Sequence, residues 1–159
     1  MCSIRATTGQ QVFGLDLTDR TGQVTFLHCA VADYDYFCRE LRKDYGLYII
    51  TNGVASTQHN RLEKSGLADL MDDIFISDEI GYNKPDREFF EYVEKHIPGF
   101  ERGKALVVGD SLFSDIRGGV DYGIDTCWLN IYNADNTSEI KPTYIIRDIV
   151  ELPGLLKKL

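Results

Sequence analysis

Five short stretches of this chain are apolar almost without interruption: LYIIT at 47–51, DIFIS at 73–77, KALVVGD at 104–110, DTCWLN at 125–130 and TYIIR at 143–147. A strand with one face in water alternates apolar and polar side chains, whereas a strand covered on both faces does not. Between these runs lie segments with helical spacing. DYDYFCRELRKDY (33–45) places Phe37, Leu41 and Tyr45 four apart, with Asp33 as N-cap and Gly46 as the stop. STQHNRLEKSGL (56–67), DREFFEYVEKHI (86–97), FSDIRGGVDY (113–122) and a closing segment from Asp148 read as further helices. Strand-like and helical segments in alternation predict an α/β fold with a mainly parallel sheet between helical layers. At 159 residues the chain is long enough for one domain with a core that needs no disulfide or structural metal.

Residues 1–32 depart from this pattern. QVFGLDLTDRTGQVTFLHCAV (11–31) reads as a strand, a turn at Asp19–Gly22 and a second strand. The expected organisation is therefore an atypical N-terminal segment, 1–32, that completes the sheet with a strand or hairpin, and an α/β core, 33–159.

Composition narrows the function classes. Hydrophobic content of 43% and charged content of 26% are those of a soluble globular protein. A net charge of −8 argues against nucleic acid and anionic membrane as partners. It leaves a small anion open, because local positive charge decides that. Cys2, Cys29, Cys38 and Cys127 show no C-x-x-C spacing and no metal-like grouping with His28, His59 and His96. Free thiols, no apolar leader and no membrane-length apolar run predict a cytoplasmic protein. Tyr34, Tyr36 and Tyr45 are expected to pack a helix and Trp128 the core.

In an open α/β sheet, ligands bind beyond the carboxyl ends of the strands. Thr51 ends one apolar run, Lys84 stands in the GYNKP loop after the next, and Asp110 ends the third, with Asp115 close behind. Thr51 offers a hydroxyl, and the Asn52 and Gly53 backbone N–H groups can join it as donors to phosphate oxygens. Lys84 supplies a point charge beside a helix N-terminus, and Pro85 holds it extended. Asp110 and Asp115 are hard oxygen ligands of the kind Mg²⁺ prefers. On an ideal helix they would diverge, and a turn at Ser111-Leu112 lets both face one ion.

Taken in order, IITNG, GYNKPD and GDSLFSDIRGG resemble the second, third and fourth motifs of haloacid dehalogenase (HAD)-type phosphatases. The resemblance runs from residue 33 to the C-terminus, about four-fifths of the chain. It lies closest to the pyrimidine 5′-nucleotidase-like branch, which DTCWLN and the Lys141-Pro142-Thr143-Tyr144 approach to the last strand also resemble. It implies a three-layer, Rossmann-like HAD core. It implies that Thr51 binds the phosphoryl group, that Lys84 neutralises its charge and orients the nucleophile, and that Asp110 and Asp115 hold Mg²⁺. The implied activity is hydrolysis of a small phosphate monoester through an aspartyl-phosphate.

The family's first motif, an apolar strand ending D-x-D-x-T or D-x-D-x-V, has no full match here. Val12–Asp19 offers Asp16 as nucleophile, with Thr18 where the family has its acid/base; Asp33-Tyr34-Asp35 offers Asp33, close before Thr51. Phosphate-transferring pumps of the superfamily also carry Thr at that second position, so phosphorylation survives there while hydrolysis slows. The motif-one strand occupies the middle of the sheet in the family. Residues 12–17 or 24–31 are expected to fill that slot; otherwise the fold is weak or a homo-oligomer. The 34 residues between Asp16 and Thr51, and the 32 between Thr51 and Lys84, leave no room for a sizeable cap domain. The competing reading is a truncated or catalytically impaired HAD-like module that binds Mg²⁺, a phosphorylated ligand or a partner protein.

Overall fold

The computed structural model describes residues 2–5, 11–13 and 31–159, with side chains from residue 36 onward. Strands β1 (Cys2–Arg5), β2 (Gln11–Phe13), β3 (Gly46–Thr51), β4 (Asp73–Ile76), β5 (Ala105–Gly109), β6 (Asp125–Leu129) and β7 (Tyr144–Ile146) form one sheet in the order β4-β3-β1-β2-β5-β6-β7. β1 runs antiparallel to both β2 and β3, and every other adjacent pair is parallel. The fold is a three-layer α/β HAD-like core.

Burial explains why the central strands read as unbroken apolar runs. Every residue of β5, and every residue of β3 after Gly46, is buried, so both faces are covered. Each buried Leu, Ile or Val there stabilises the fold by roughly 1.5–3 kcal/mol relative to exposure. Helix α4 (Arg87–His96) turns Phe89, Phe90 and Val93 into this core. Helix α5 (Arg117–Tyr122) comes close to both the sheet and α4 because Gly118 and Gly119 carry no Cβ. A Cβ on Gly119 would lie 2.6 Å from Thr126 Cγ2, and one on Gly118 would run into the Phe90 ring.

Several expected boundaries move. Helix α1 spans Val31–Leu41, so Asp33 lies inside the helix instead of capping it. Val31 therefore belongs to a helix, not to the expected second strand of a 11–31 hairpin. The antiparallel pair present lies earlier, between β1 and β2, with Ile4 opposite Val12. CSIR carries only a short period-2 signal in sequence. The slot beside β5 is taken by β2, with Phe13 opposite Val107. Residues 14–30, including Asp16, the 19–22 turn and the 24–30 part of the other slot-filling stretch, lie outside the described residues.

Helix α2 spans Ala55–Ser65 and closes on Gly66 in the left-handed conformation, φ 69°. A short helix α3, Ser77–Ile80, follows β4 directly. Among residues 31–159, this stretch between Thr51 and Lys84 contains no inserted domain. The expected helix at 113–122 is two pieces: a π-helical turn at Leu112–Ile116, then α5. The chain closes with α6 (Leu152–Leu156) after a 3-10 turn, where Asp148 and Glu151 form a reciprocal capping box. Tyr36 is exposed rather than packed, whereas Tyr45 and Trp128 join the interior as expected. Among the described residues, Cys38 and Cys127 are both buried, and Cys127 is a free thiol. No helix among them is long and apolar enough to cross a membrane.

Candidate functional site

Because β3, β4 and β5 point the same way, the loops after them meet at one edge of the sheet. Thr51 is the last residue of β3 and is buried, with its hydroxyl 3.3 Å from the Asn52 carbonyl. Lys84 leaves the loop after α3 and reaches back beneath that edge. Its ammonium donates to the Ile50 carbonyl at 3.0 Å and to Asp115 Oδ1 at 2.9 Å. Neither side chain of the Lys84–Asp115 pair has any exposed surface. Charges taken that far from water hold only when matched by opposite charge and by hydrogen bonds.

The matching is visible around Asp115. Its Oδ1 also accepts from the Ser114 hydroxyl at 3.1 Å, and its Oδ2 accepts from the Ser111 N–H at 3.1 Å. The π-helical turn makes this possible by carrying Asp115 back against the end of β5. A Cβ on Gly109 would sit 2.5 Å from Asp115 Cβ, so only glycine permits the approach. Ser111 starts the turn as an N-cap, accepting from Ser114 N. Asp110, between Gly109 and Ser111, is exposed. Its carbonyl is held by the indole N–H of buried Trp128 at 2.9 Å. The two acids thus have different surroundings although they are near in sequence.

The loop after β3 is braced as well. The Asn52 side chain accepts from Lys84 N at 2.8 Å and donates to the Lys84 carbonyl at 2.9 Å. Gln58 Nε2 donates to the Asn52 carbonyl at 3.1 Å. Gly53, at φ 142°, gives its N–H to Ser77 Oγ at 3.0 Å. The expected donation from Gly53 N–H to a phosphate oxygen would therefore compete with Ser77. Pro85 does not enter the first turn of the next helix: α4 begins at Arg87 with Asp86 as N-cap, and the Lys84–Pro85 peptide is cis. Exposed apolar side chains stand in the loops around this edge: Val54 after β3, Tyr82 after α3, Phe113 after β5 and Tyr132 after β6.

Of the sequence-predicted residues, Thr51, Asn52, Lys84 and Asp115 come together through hydrogen bonds and shared neighbours, and Asp110 stands beside them on the chain. Asp16 lies outside the described residues, and Asp33 is on a helix, not at a strand end. Gln58, Ser77, Ser114 and the indole of Trp128 were not anticipated, nor was the capping bond of Ser111. Only the Ser111-x-x-Ser114 spacing carried a local signal, that of a capped turn. Among the described residues no group of three or more His, Cys, Asp or Glu side chains is placed to hold a metal.

The chain is similar to known proteins over most of its length. The family model described as haloacid dehalogenase-like hydrolase matches residues 30–129. The pyrimidine 5′-nucleotidase PynA of Streptococcus pneumoniae is 40% identical over 118 residues, 74% of this chain and 50% of that protein. The HAD-hydrolase YfnB of Bacillus subtilis is 47% identical over 116 residues, 73% of this chain and 49% of that protein. A crystal structure of YfnB bound to magnesium superposes with a TM-score of 0.76 at 44% identity, over 79% of this chain and 55% of that one. The chain thus spans about half the length of the curated relatives it matches.

Proposed function

The chain belongs to the haloacid dehalogenase-like hydrolase family, and from that premise we propose that it is the phosphate-handling core of a Mg²⁺-dependent phosphate monoester hydrolase. The observation that carries this reading is the buried Lys84 ammonium, held between Asp115 and the carbonyl of Ile50, the residue before Thr51. A cation kept there without water has a preset position and needs no reorganisation when a phosphoryl group arrives. The Thr51 hydroxyl is the donor to a phosphoryl oxygen at the same edge, joined by the Asn52 N–H. Placed this way, fixed donors would lower the barrier by stabilising charge on the equatorial oxygens.

The acids fit a hard divalent cation. They offer oxygen only, and Asp110 is exposed at the strand end while Asp115 is fixed behind it. Asp110 and Asp115 would hold Mg²⁺, with Asp115 dividing its oxygens between that task and Lys84. Mg²⁺ bound there supplies charge neutralisation and orientation of the phosphoryl group. Asp16 is the nucleophile we favour over Asp33. β2 lies parallel to β5 and ends three residues before Asp16, whereas Asp33 is helical. A carboxylate oxygen of Asp16 bonds to phosphorus as the bond to the leaving oxygen breaks. Water then releases phosphate from the aspartyl-phosphate. With Thr18 in place of an acid, the leaving group departs without a carboxyl proton donor. Nucleotides are the substrate class we favour, because exposed Tyr82, Phe113 and Tyr132 border the edge and PynA is a pyrimidine 5′-nucleotidase.

The test is phosphate release from p-nitrophenyl phosphate, with and without Mg²⁺, by the wild type, Asp16→Asn, Lys84→Met and Asp110→Asn. Metal-dependent turnover abolished in all three variants is the expected result. The fluorescence of Trp128, the chain's single tryptophan, follows Mg²⁺ binding separately, because its indole holds the Asp110 carbonyl. A folded wild type that binds Mg²⁺ by this signal yet turns nothing over would replace the hydrolase reading with that of a binding module.

A further inference from the structure

Lys84 is held at both ends. Its ammonium is fixed by Ile50 and Asp115, and its backbone N–H and carbonyl are both engaged by the single amide of Asn52, 32 residues away. This amide acts like one rung of a sheet between two loops that share no strand pairing. Asn52 is in turn fixed by its own carbonyl, which accepts from the buried Gln58 side chain at 3.1 Å. Gly53 closes the arrangement, since a Cβ there would lie 2.6 Å from Gln58 Nε2.

The geometry points to Asn52 and Gln58 as positioning residues: Gln58 sets Asn52, and the Asn52 amide sets the main chain of Lys84, so that the ammonium meets Thr51 at a fixed height. Lys has four rotatable side-chain bonds, so an ammonium anchored only at its tip leaves the loop free to shift beneath it. The amide removes that freedom. It also leaves no unmet polar group at Lys84's own peptide units, where an unsatisfied buried donor or acceptor would be costly. The role given to the Asn52 N–H toward phosphate is separate; here the side chain faces the protein.

The consequence for catalysis rests on the hydrolase reading, so the experiment has one arm that needs no turnover. In hydrogen exchange followed by NMR, the Lys84 amide of the wild type is protected, and Asn52→Ala accelerates its exchange about tenfold or more, the scale of a lost buried hydrogen bond. Amides of β5 keep their rates. Gln58→Leu produces a smaller acceleration at the same amide. Asn52→Asp keeps an acceptor for the Lys84 N–H and stays protected, which guards against an Asn52→Ala chain that fails to fold. Unchanged exchange at Lys84 in Asn52→Ala, or equal acceleration throughout β5, overturns the clamp. The second arm is a double-mutant cycle in turnover. Gln58→Leu lowers kcat/KM in the wild type and has no further effect in Asn52→Ala, because it acts only through Asn52. Additive losses overturn the positioning role. A wild type without turnover counts against the hydrolase reading alone, and the exchange arm still decides the clamp.

Discussion

Two polar contacts join α4 and its approach to α5 and the turn before it, and they are built in different ways. Lys84–Asp115 is sealed, with no exposed surface on either side chain. In the other, Glu94 takes Arg102 at 2.8 Å and the Tyr122 hydroxyl, with side chains of Arg102 and Glu94 40% and 35% exposed. The Arg102 guanidinium also lies 4.1 Å from the centre of the Tyr122 ring, which stacks on Phe90. Water reaches the second contact, so its charges keep part of their hydration and its bonds are worth little each. The first has no such reserve, and losing one partner strands the other. A fold that needed only to fasten two helices would be served by the second kind. The sealed pair costs desolvation and returns a fixed cation at the strand ends, the arrangement that the proposed phosphate-handling role requires.

This contrast can be broken at the sealed contact first. Asp115→Ala leaves the Lys84 ammonium buried without its carboxylate and should lower unfolding free energy by about 3–5 kcal/mol, read from urea midpoints. Lys84→Met combined with Asp115→Asn should recover much of that loss while abolishing turnover, since an uncharged pair needs no compensation. If the double variant is no more stable than Asp115→Ala, the pair is structural and the contrast fails.

Between the two contacts, α5 touches α4 at Gly118. Gly118→Ala pushes a methyl into Phe90 and toward the Pro85 Cα at 3.2 Å, and should cost about 1–3 kcal/mol of stability. Turnover should fall as well if the Lys84–Pro85 segment shifts, and a loss of stability alone would separate packing from the site.

At the exposed contact, Tyr122→Phe removes one hydroxyl and should cost only about 1 kcal/mol in the same denaturation measurement. A loss equal to that of Asp115→Ala would show that exposure does not distinguish the two contacts.

The smallest effect is in pH. Tyr122 is pushed up to about 12, first by burial and then by its bond to Glu94. Its contribution is complete below about 10, the ordinary tyrosine value, and is lost as pH rises from there through about 12. Glu94 is held below the usual carboxylate range, chiefly by the Tyr122 hydroxyl, against partial burial, with Arg102 helping. Its contribution is complete above the ordinary carboxylate value and is lost as pH falls through its lower folded value. Stability curves of Tyr122→Phe should therefore lose the alkaline limb and weaken the acid one. Identical curves for the two proteins would remove Tyr122 from the contact's energetics.

How much of this was legible beforehand differs by element. Runs such as LVVG and YIIT are continuous because both faces of β5 and β3 are covered, and a local pattern suffices to read that. The order Thr51, Lys84, Asp110 and Asp115 was legible too, since each lies at or just beyond the end of a run and parallel strands bring such ends together. The N-terminal hairpin was misplaced. Four residues of alternating CSIR make a weak signal, and pairing with β3 and β2, not propensity, puts them in the sheet.

The amino-acid sequence by itself determined the layer architecture, the strand-end placement of Thr51 and the acids, and the glycines that allow close approach. Only the tertiary structure decided which groups meet. Asp110 and Asp115 looked like equals along the chain, and the π-helical turn sends one to solvent and the other to Lys84. Asn52 looked like a backbone donor to phosphate, and its side-chain amide holds a loop 32 residues away. Hydrogen bonds of that range depend on where two loops come to rest after the sheet has formed, and no periodicity in the chain encodes that distance.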